Sequence, residues 1–145
     1  SRLRFEITER TITEDYAEVR KVMSYLAGKG IQFYLDDFGT GYSNLASMLS
    51  LPFEAIKFDQ SLIGMMNGTD KGLRTISLLA DIMHENNYYI VAEGVETADQ
   101  VRLAHERSLD RIQGYYYAKP MPGEELVDFL KRDIRHTYDE TGGIL

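Results

Sequence analysis

Five short apolar runs, separated by longer amphipathic ones, limit what this chain can fold into more than any other feature. The short runs are LRFEIT (3–8), IQFYLDD (31–37), AIKFD (55–59), YYIVAE (88–93) and DRIQGYYY (110–117). Each is rich in β-branched or aromatic residues and short enough for a buried strand. Helical stretches lie between them. TEDYAEVRKVMSYLAGKG opens with Thr13 as the expected N-cap and closes on Gly28 and Gly30. DKGLRTISLLADIMHENN places Leu73, Ile76, Leu79, Ala80 and Met83 on one helical face. TADQVRLAHERS starts at Thr97 as a cap, and GEELVDFLKRDI follows Pro122. Such β-α alternation predicts parallel strands joined by right-handed crossovers, hence an α/β barrel or an open doubly wound sheet. Eight strands and about 250 residues make a closed barrel, so a chain of 145 residues that opens directly in a strand reads as part of a domain.

Composition narrows the function classes. Hydrophobic residues make up 43%, enough for a folded core, and no apolar run is long enough to span a membrane. The absence of cysteine excludes disulfides and thiolate metal sites and suits a reducing cytoplasm, with any membrane tether expected upstream. A net charge of -7 argues against a nucleic-acid polymer as partner, and an acidic protein that handles a phosphate ligand needs cations to screen it.

The polar residues fall where that screening could occur. Glu6 and Glu9 lie toward the end of the first run, Asp36 and Asp37 end the second, Lys57 and Asp59 close the third, Glu93 ends the fourth, and Gln113 lies in the fifth. In parallel α/β folds the C-terminal strand ends form one face, where catalytic groups collect. Any one of these carboxylates alone reads best as a solvated strand end or an N-cap. Four strands delivering carboxylates to one face, flanked by Phe5, Ile7, Leu35, Ile56, Phe58 and Val91, read better as a cluster neutralised by cations. Oxygen donors without Cys or His point to Mg²⁺ or Mn²⁺ rather than Zn²⁺. Successive strand side chains point to opposite faces, so Asp36 and Asp37 can share one centre only where the strand stops and bends; Gly39 and Gly41 are the expected source of that bend. One Asp bridging two cations while its neighbour binds the second is an arrangement of two-metal phosphoryl chemistry.

FEITER, DDFGTGYSNL, LPFEAIKFD, VAEGVET and DRIQGYYYAKPMP resemble, in order and spacing, the motifs of the EAL-domain family of cyclic di-GMP phosphodiesterases, from about Leu3 to Ile134. The resemblance implies a modified (β/α)₈ TIM-like barrel, of which this α/β chain supplies the last five β/α units: residues 1–135 as the C-terminal portion of the domain and 136–145 as a tail. It implies hydrolysis of cyclic di-GMP to linear pGpG on a two-metal site of Mg²⁺ or Mn²⁺. Carried over by position, Glu6 resembles a ligand of the first metal, Asp36 the bridging ligand, and Asp37 and Glu93 ligands of the second. Lys57 is similar to the residue that holds the attacking water, with Asp59 ordering it and Gln113 hydrogen-bonding nearby. Glu9 and Glu96 resemble supports of the site.

Neither the Glu-Ala-Leu motif nor the family's Asn motif occurs in these 145 residues, so the first metal position keeps only Glu6 and Asp36. The second keeps Asp36, Asp37 and Glu93. Ser108 stands where the family usually has Gly. The protein to which the chain belongs is therefore expected to be an active enzyme, while the chain alone is expected to be inactive. The competing expectation is a non-catalytic module that binds the dinucleotide or a protein. Tyr115, Pro120 and Met121 fall where a guanine could stack, although two of Tyr115, Tyr116 and Tyr117 are expected to pack in the core of an ordinary strand. Leu45, Met48, Leu49 and Leu51 offer either core packing or a homodimer contact, and core packing is the better account of most of them. The edges of a five-stranded arc also predict pairing with a second copy. His84, His105 and His136 have no partner at ligand spacing and are expected at the surface.

Overall fold

A computed structural model describes residues 3–41 and 45–131; His136 and the tail 136–145 lie outside the described residues. The five strands are β1 (Arg4–Thr8), β2 (Gln32–Phe38), β3 (Ala55–Phe58), β4 (Tyr89–Ala92) and β5 (Arg111–Ile112). All are parallel, in the order β1-β2-β3-β4-β5. A doubly wound sheet reverses direction at a switch point. This order never reverses, so each crossover steps the same way and the sheet is an arc of a (β/α) barrel wall.

All but the last of the described helices contribute side chains to a core on one face. The helices are α1 (Glu9–Glu14), α2 (Tyr16–Ala27), α3 (Leu45–Leu49), α4 (Gln60–Met65), α5 (Asp70–Glu85), α6 (Ala98–Glu106) and α7 (Gly123–Lys131). Phe33, Leu35, Ile56, Phe58, Ile90 and Ala92 point toward them and join Ile12, Met23, Ile63, Ile76, Met83 and Val101 in one buried core. Burying each such aliphatic side chain contributes about 1.5–3 kcal/mol. The alternate residues Tyr34, Ala55 and Val91 form a separate small cluster on the opposite face. On that face Arg111 donates from Nη1 to the Tyr34 hydroxyl at 2.9 Å, a contact reaching from β5 across β4 and β3 to β2.

Local chemistry sets the helix ends. α6 carries a capping box, in which Thr97 accepts from Gln100 N and the Gln100 side chain accepts from Thr97 N. Thr69 caps α5, whose buried residues Ile76, Ala80 and Met83 recur at helical spacing. The first helical stretch is broken rather than continuous. Asp15, with φ -151° and ψ 67°, interrupts it and caps α2 through Glu18 N, whereas Thr13 lies inside α1 and donates to Glu9 O. Met48 and Leu51 are core residues, and Leu45 and Leu49 pack against that core.

The fifth strand is two residues long, not eight. After Ile112 the chain leaves the sheet to bond the loop that follows β4: Val95 N donates to Gln113 O at 3.3 Å and Tyr116 N to Val95 O at 3.0 Å. Gly114 permits this crossing, since a Cβ there would stand 2.0 Å from Val95 O. Residues 115–117 therefore form a turn, with Tyr115 and Tyr116 exposed and Tyr117 partly buried against the core. None of the described helices is long and apolar enough to cross a membrane.

Candidate active site

At the C-terminal strand ends, Lys57 on β3 is 6% exposed and lies among three carboxylates, Glu6 on β1, Asp36 on β2 and Glu93 just after β4. Its Nζ stands 2.8 Å from Asp36 Oδ1, 2.9 Å from Glu93 Oε1 and 3.2 Å from Glu6 Oε1. Burial alone would push the lysine pKa down, but its hydrogen bonds to Asp36, Glu93 and Glu6 outweigh burial and raise it. Glu93 is raised as well. Its own burial and the negative charges of Asp36 and Glu6 oppose ionisation more than Lys57 favours it. One ammonium thus offsets only part of the charge that three carboxylates bring.

Asp37 reaches the same cluster by a backbone irregularity. Between the pairs Leu35–Ile56 and Phe38–Phe58, three residue steps of β2 oppose two of β3, so β2 bulges by one residue. Asp37 sits in that bulge at φ 57°, the left-handed region that costs a non-glycine residue about 1–2 kcal/mol. The bend is therefore inside β2, at Asp37 itself, and the strand continues to Phe38 instead of stopping. Gly39 follows with φ 107°, while Gly41 has another role. The buried Glu9 accepts from Gly41 N at 3.1 Å and Gly39 N at 3.4 Å, and a Cβ at Gly41 would press on the Glu9 carboxyl at 3.0 Å. Glu9, the first residue of α1, thereby ties down the loop after Asp37.

Asp36, Asp37 and Glu93 offer one carboxylate oxygen each, all within 4.8 Å of one another. Among the described residues this donor set suits a hard divalent cation, being all oxygen and partly buried.

The remaining sequence candidates are spread more widely. Asp59 caps α4, accepting from Ser61 N at 2.8 Å, and is not among the carboxylates holding Lys57. Burial pushes its carboxyl up, but hydrogen bonds from Ser61 and Gln60 prevail and hold it below the ordinary aspartate value. Gln113, Glu96, Tyr115, Pro120 and Met121 line a cleft of about 920 Å³ beside the cluster. Gln60, Lys119, Leu126 and Phe129 also line that cleft and were not singled out in the sequence. Leu126 and Phe129, three residues apart, carried a signal as an apolar helical pair; Gln60 carried none. His84 bonds Asp110 Oδ2 at 2.9 Å, at the opposite end of β4 from the cluster.

A model of the EAL domain matches residues 1–120. The chain belongs to the EAL-domain family. Its sheet and helices superpose on an EAL-domain protein from Listeria monocytogenes with a TM-score of 0.79 at 35% identity, covering 88% of this chain and 50% of that one. A structure described as the PaMucR phosphodiesterase in complex with c-di-GMP gives 0.78 at 32%, over 86% of this chain and 50% of that one. A protein of Pseudomonas aeruginosa named cyclic di-GMP phosphodiesterase PA2567 is 36% identical over 132 residues, 91% of this chain and 22% of that protein. The chain spans less than a quarter of the length of such curated relatives, 16% for the signaling protein YkoW of Bacillus subtilis. EAL domains are in general metal-dependent, and the Asp36–Asp37–Glu93 set fits that requirement.

Proposed function

We propose that this chain is the C-terminal part of a phosphodiesterase that hydrolyses one phosphodiester bond of cyclic di-GMP to linear pGpG with Mg²⁺ or Mn²⁺. The observation that carries the reading is Lys57 within 3.2 Å of Glu6, Asp36 and Glu93, with Asp37 turned into the same cluster. The relative named as a cyclic di-GMP phosphodiesterase and the c-di-GMP complex among the similar structures support the substrate.

Asp36, Asp37 and Glu93 would hold one ion, and Glu6 with Asp36 would contribute to a second. Such ions, when bound, lower the pKa of a coordinated water and offset phosphate charge. Hydrogen bonds to Asp36, Glu93 and Glu6 raise the Lys57 pKa, so Lys57 would donate to and orient the water rather than act as its base. Asp59 orients the start of α4 next to Lys57, and Gln113 faces the cleft as a hydrogen-bonding side chain. The cleft takes a guanine: Tyr115, Pro120 and Met121 offer apolar and aromatic surface on which a base stacks. Glu9 keeps the loop after Asp37 in place, and Glu96 lies at the cleft's rim. A homodimer would have to form through surfaces other than Met48 and Leu51, which the core uses.

The test incubates the protein to which the chain belongs with cyclic di-GMP and Mn²⁺ or Mg²⁺ and separates nucleotides by anion exchange. Metal-dependent appearance of pGpG, lost in Asp36→Asn, is the expected result. Binding of cyclic di-GMP with no pGpG under any metal would replace this reading with a non-catalytic binding module.

A further inference from the structure

The turn between α4 and α5 carries the dipeptide Asn67-Gly68, and both residues are exposed. Asparagine deamidates when the backbone nitrogen of the next residue attacks its side chain, so the state of that nitrogen decides the reaction. The chain has four asparagines; Asn67, Asn86 and Asn87 are described and Asn44 lies outside the described residues. After Asn86, Asn87 N donates to His84 O at 2.9 Å, and the Asn86 amide itself donates to Ile82 O at 2.8 Å. After Asn87, Tyr88 N donates to Met83 O at 3.0 Å, and the Tyr88 side chain is buried. Gly68 N donates to no described residue, and a Cβ on Gly68 would meet nothing within 4 Å. Folding ties down the attacking nitrogen at two asparagines and leaves it open at the third.

Both ends of this turn are fixed. Met66 is buried in the core, and Asn67 N donates to Gly64 O at 3.2 Å. On the other side Thr69 caps α5 by accepting from Gly72 N at 3.1 Å. Gly72 packs so closely on Met65 O that a Cβ would not fit. The backbone that joins these anchors therefore has a set length.

We propose that Asn67 is a self-modification site, where Gly68 N closes on the Asn67 side chain and the resulting isoaspartate lengthens the turn and loosens the start of α5. Gly68 N gives up its proton and bonds to Asn67 Cγ. The Cγ–Nδ2 bond breaks, and Nδ2 leaves with that proton as ammonia. Water then opens the cyclic imide in one of two ways. Breaking the bond from Gly68 N to Cγ gives aspartate. Breaking the bond from Gly68 N to the Asn67 backbone carbonyl carbon gives isoaspartate, whose main chain runs through Cβ and Cγ. Both products add a carboxylate, but only isoaspartate adds a carbon to the backbone. The proposal does not depend on the phosphodiesterase reading.

The test incubates the protein to which the chain belongs in mildly alkaline buffer, native and in urea, and follows its tryptic peptides by mass spectrometry. An isoaspartate-specific methyltransferase distinguishes the two acids. Asn67, in peptide 58–71, should react in the native protein at close to its rate in urea. Asn86 and Asn87 should be slowed by about tenfold or more on folding, because their reaction waits on local opening. Gly68→Ala has room for its methyl and no positive φ to strain it, and should slow the reaction at Asn67 by about tenfold through crowding at the nitrogen, with Asn86 and Asn87 still protected as evidence of the fold. Aged wild type should exchange amide hydrogens over α5 faster than fresh protein, and aged Gly68→Ala should not. A native Asn67 slowed as strongly as Asn86, or a Gly68→Ala variant that deamidates as fast as the wild type, overturns the site. Isoaspartate at position 67 with unchanged exchange over α5 overturns the loosening.

Discussion

Gly114→Ala tests how the chain leaves the sheet after β5. A Cβ at this position would lie 2.0 Å from Val95 O, 2.4 Å from Val95 N and 2.7 Å from Val95 C. These are backbone atoms and cannot rotate away. Relief needs a shift of about 1 Å even to reach the closest contact that real Cβ atoms show, and close-packed interiors absorb such shifts poorly. Two hydrogen bonds straddle the contact, Val95 N to Gln113 O and Tyr116 N to Val95 O. Losing both costs about 2 kcal/mol at about 1 kcal/mol each, and the overlap adds about 1–3 kcal/mol. The sum, about 3–5 kcal/mol, is a large part of the 5–15 kcal/mol typical of a domain, as an order-of-magnitude figure. Gly64→Ala is the internal control. It lies within α4 with nothing within 4 Å of its added Cβ, so it should stabilise by about 0.5–1 kcal/mol. Urea unfolding followed by far-ultraviolet circular dichroism should move the two midpoints in opposite directions. A Gly114→Ala midpoint equal to that of the wild type would refute the backbone crossing at Val95.

Three further outcomes follow from particular contacts. Glu9→Ala should loosen the loop after Asp37 and weaken Mn²⁺ binding by about 10–100-fold, measured by calorimetric titration, with Asp36 and Asp37 still present. Asp59→Ala should cost about 1 kcal/mol through loss of the α4 cap. Because the folded Asp59 pKa lies below its usual 3.8, that contribution is present above the usual value and fades as pH falls through the depressed one. Urea midpoints of wild type and Asp59→Ala should therefore converge in acid. Tyr88→Phe removes the hydroxyl that donates to Leu49 O and Leu51 O, and thermal unfolding should show a loss of about 1–3 kcal/mol.

The sheet was legible because parallel strands flanked by helices must be short and apolar, and β2, β3 and β4 obey that closely. Lys57 and Glu93 were legible as charges at strand ends, where an apolar neighbourhood leaves few alternatives to a cluster. The exit at Gly114 was not. Tyr115, Tyr116 and Tyr117 have the composition of a strand, and what removes them from the sheet is a contact with Val95, nineteen positions away along the chain. The Asp37 turn was half legible: two adjacent carboxylates required a bend, and positive φ is ordinary at the following Gly39, but Asp37 adopts it too, within the strand. The break at Asp15 lay hidden because α1 and α2 share one polar-apolar rhythm across it. α4 follows Asp59, whose carboxylate, weighed as catalytic, also starts a helix.

The Arg111–Tyr34 hydrogen bond has a mechanical meaning. It joins the second strand to the fifth across the open side of the arc, as a string drawn from one tip of a bow to a point on its far limb. Strands lie about 4.8 Å apart, so three intervals measured along the arc are closed by one straight link. At their C-terminal ends the first of these strands carries Asp36 and Asp37, and the second leads into Gln113. Cutting the string, by Tyr34→Phe, would let the bow relax, and the gap between the carboxylates and the cleft wall would widen with it.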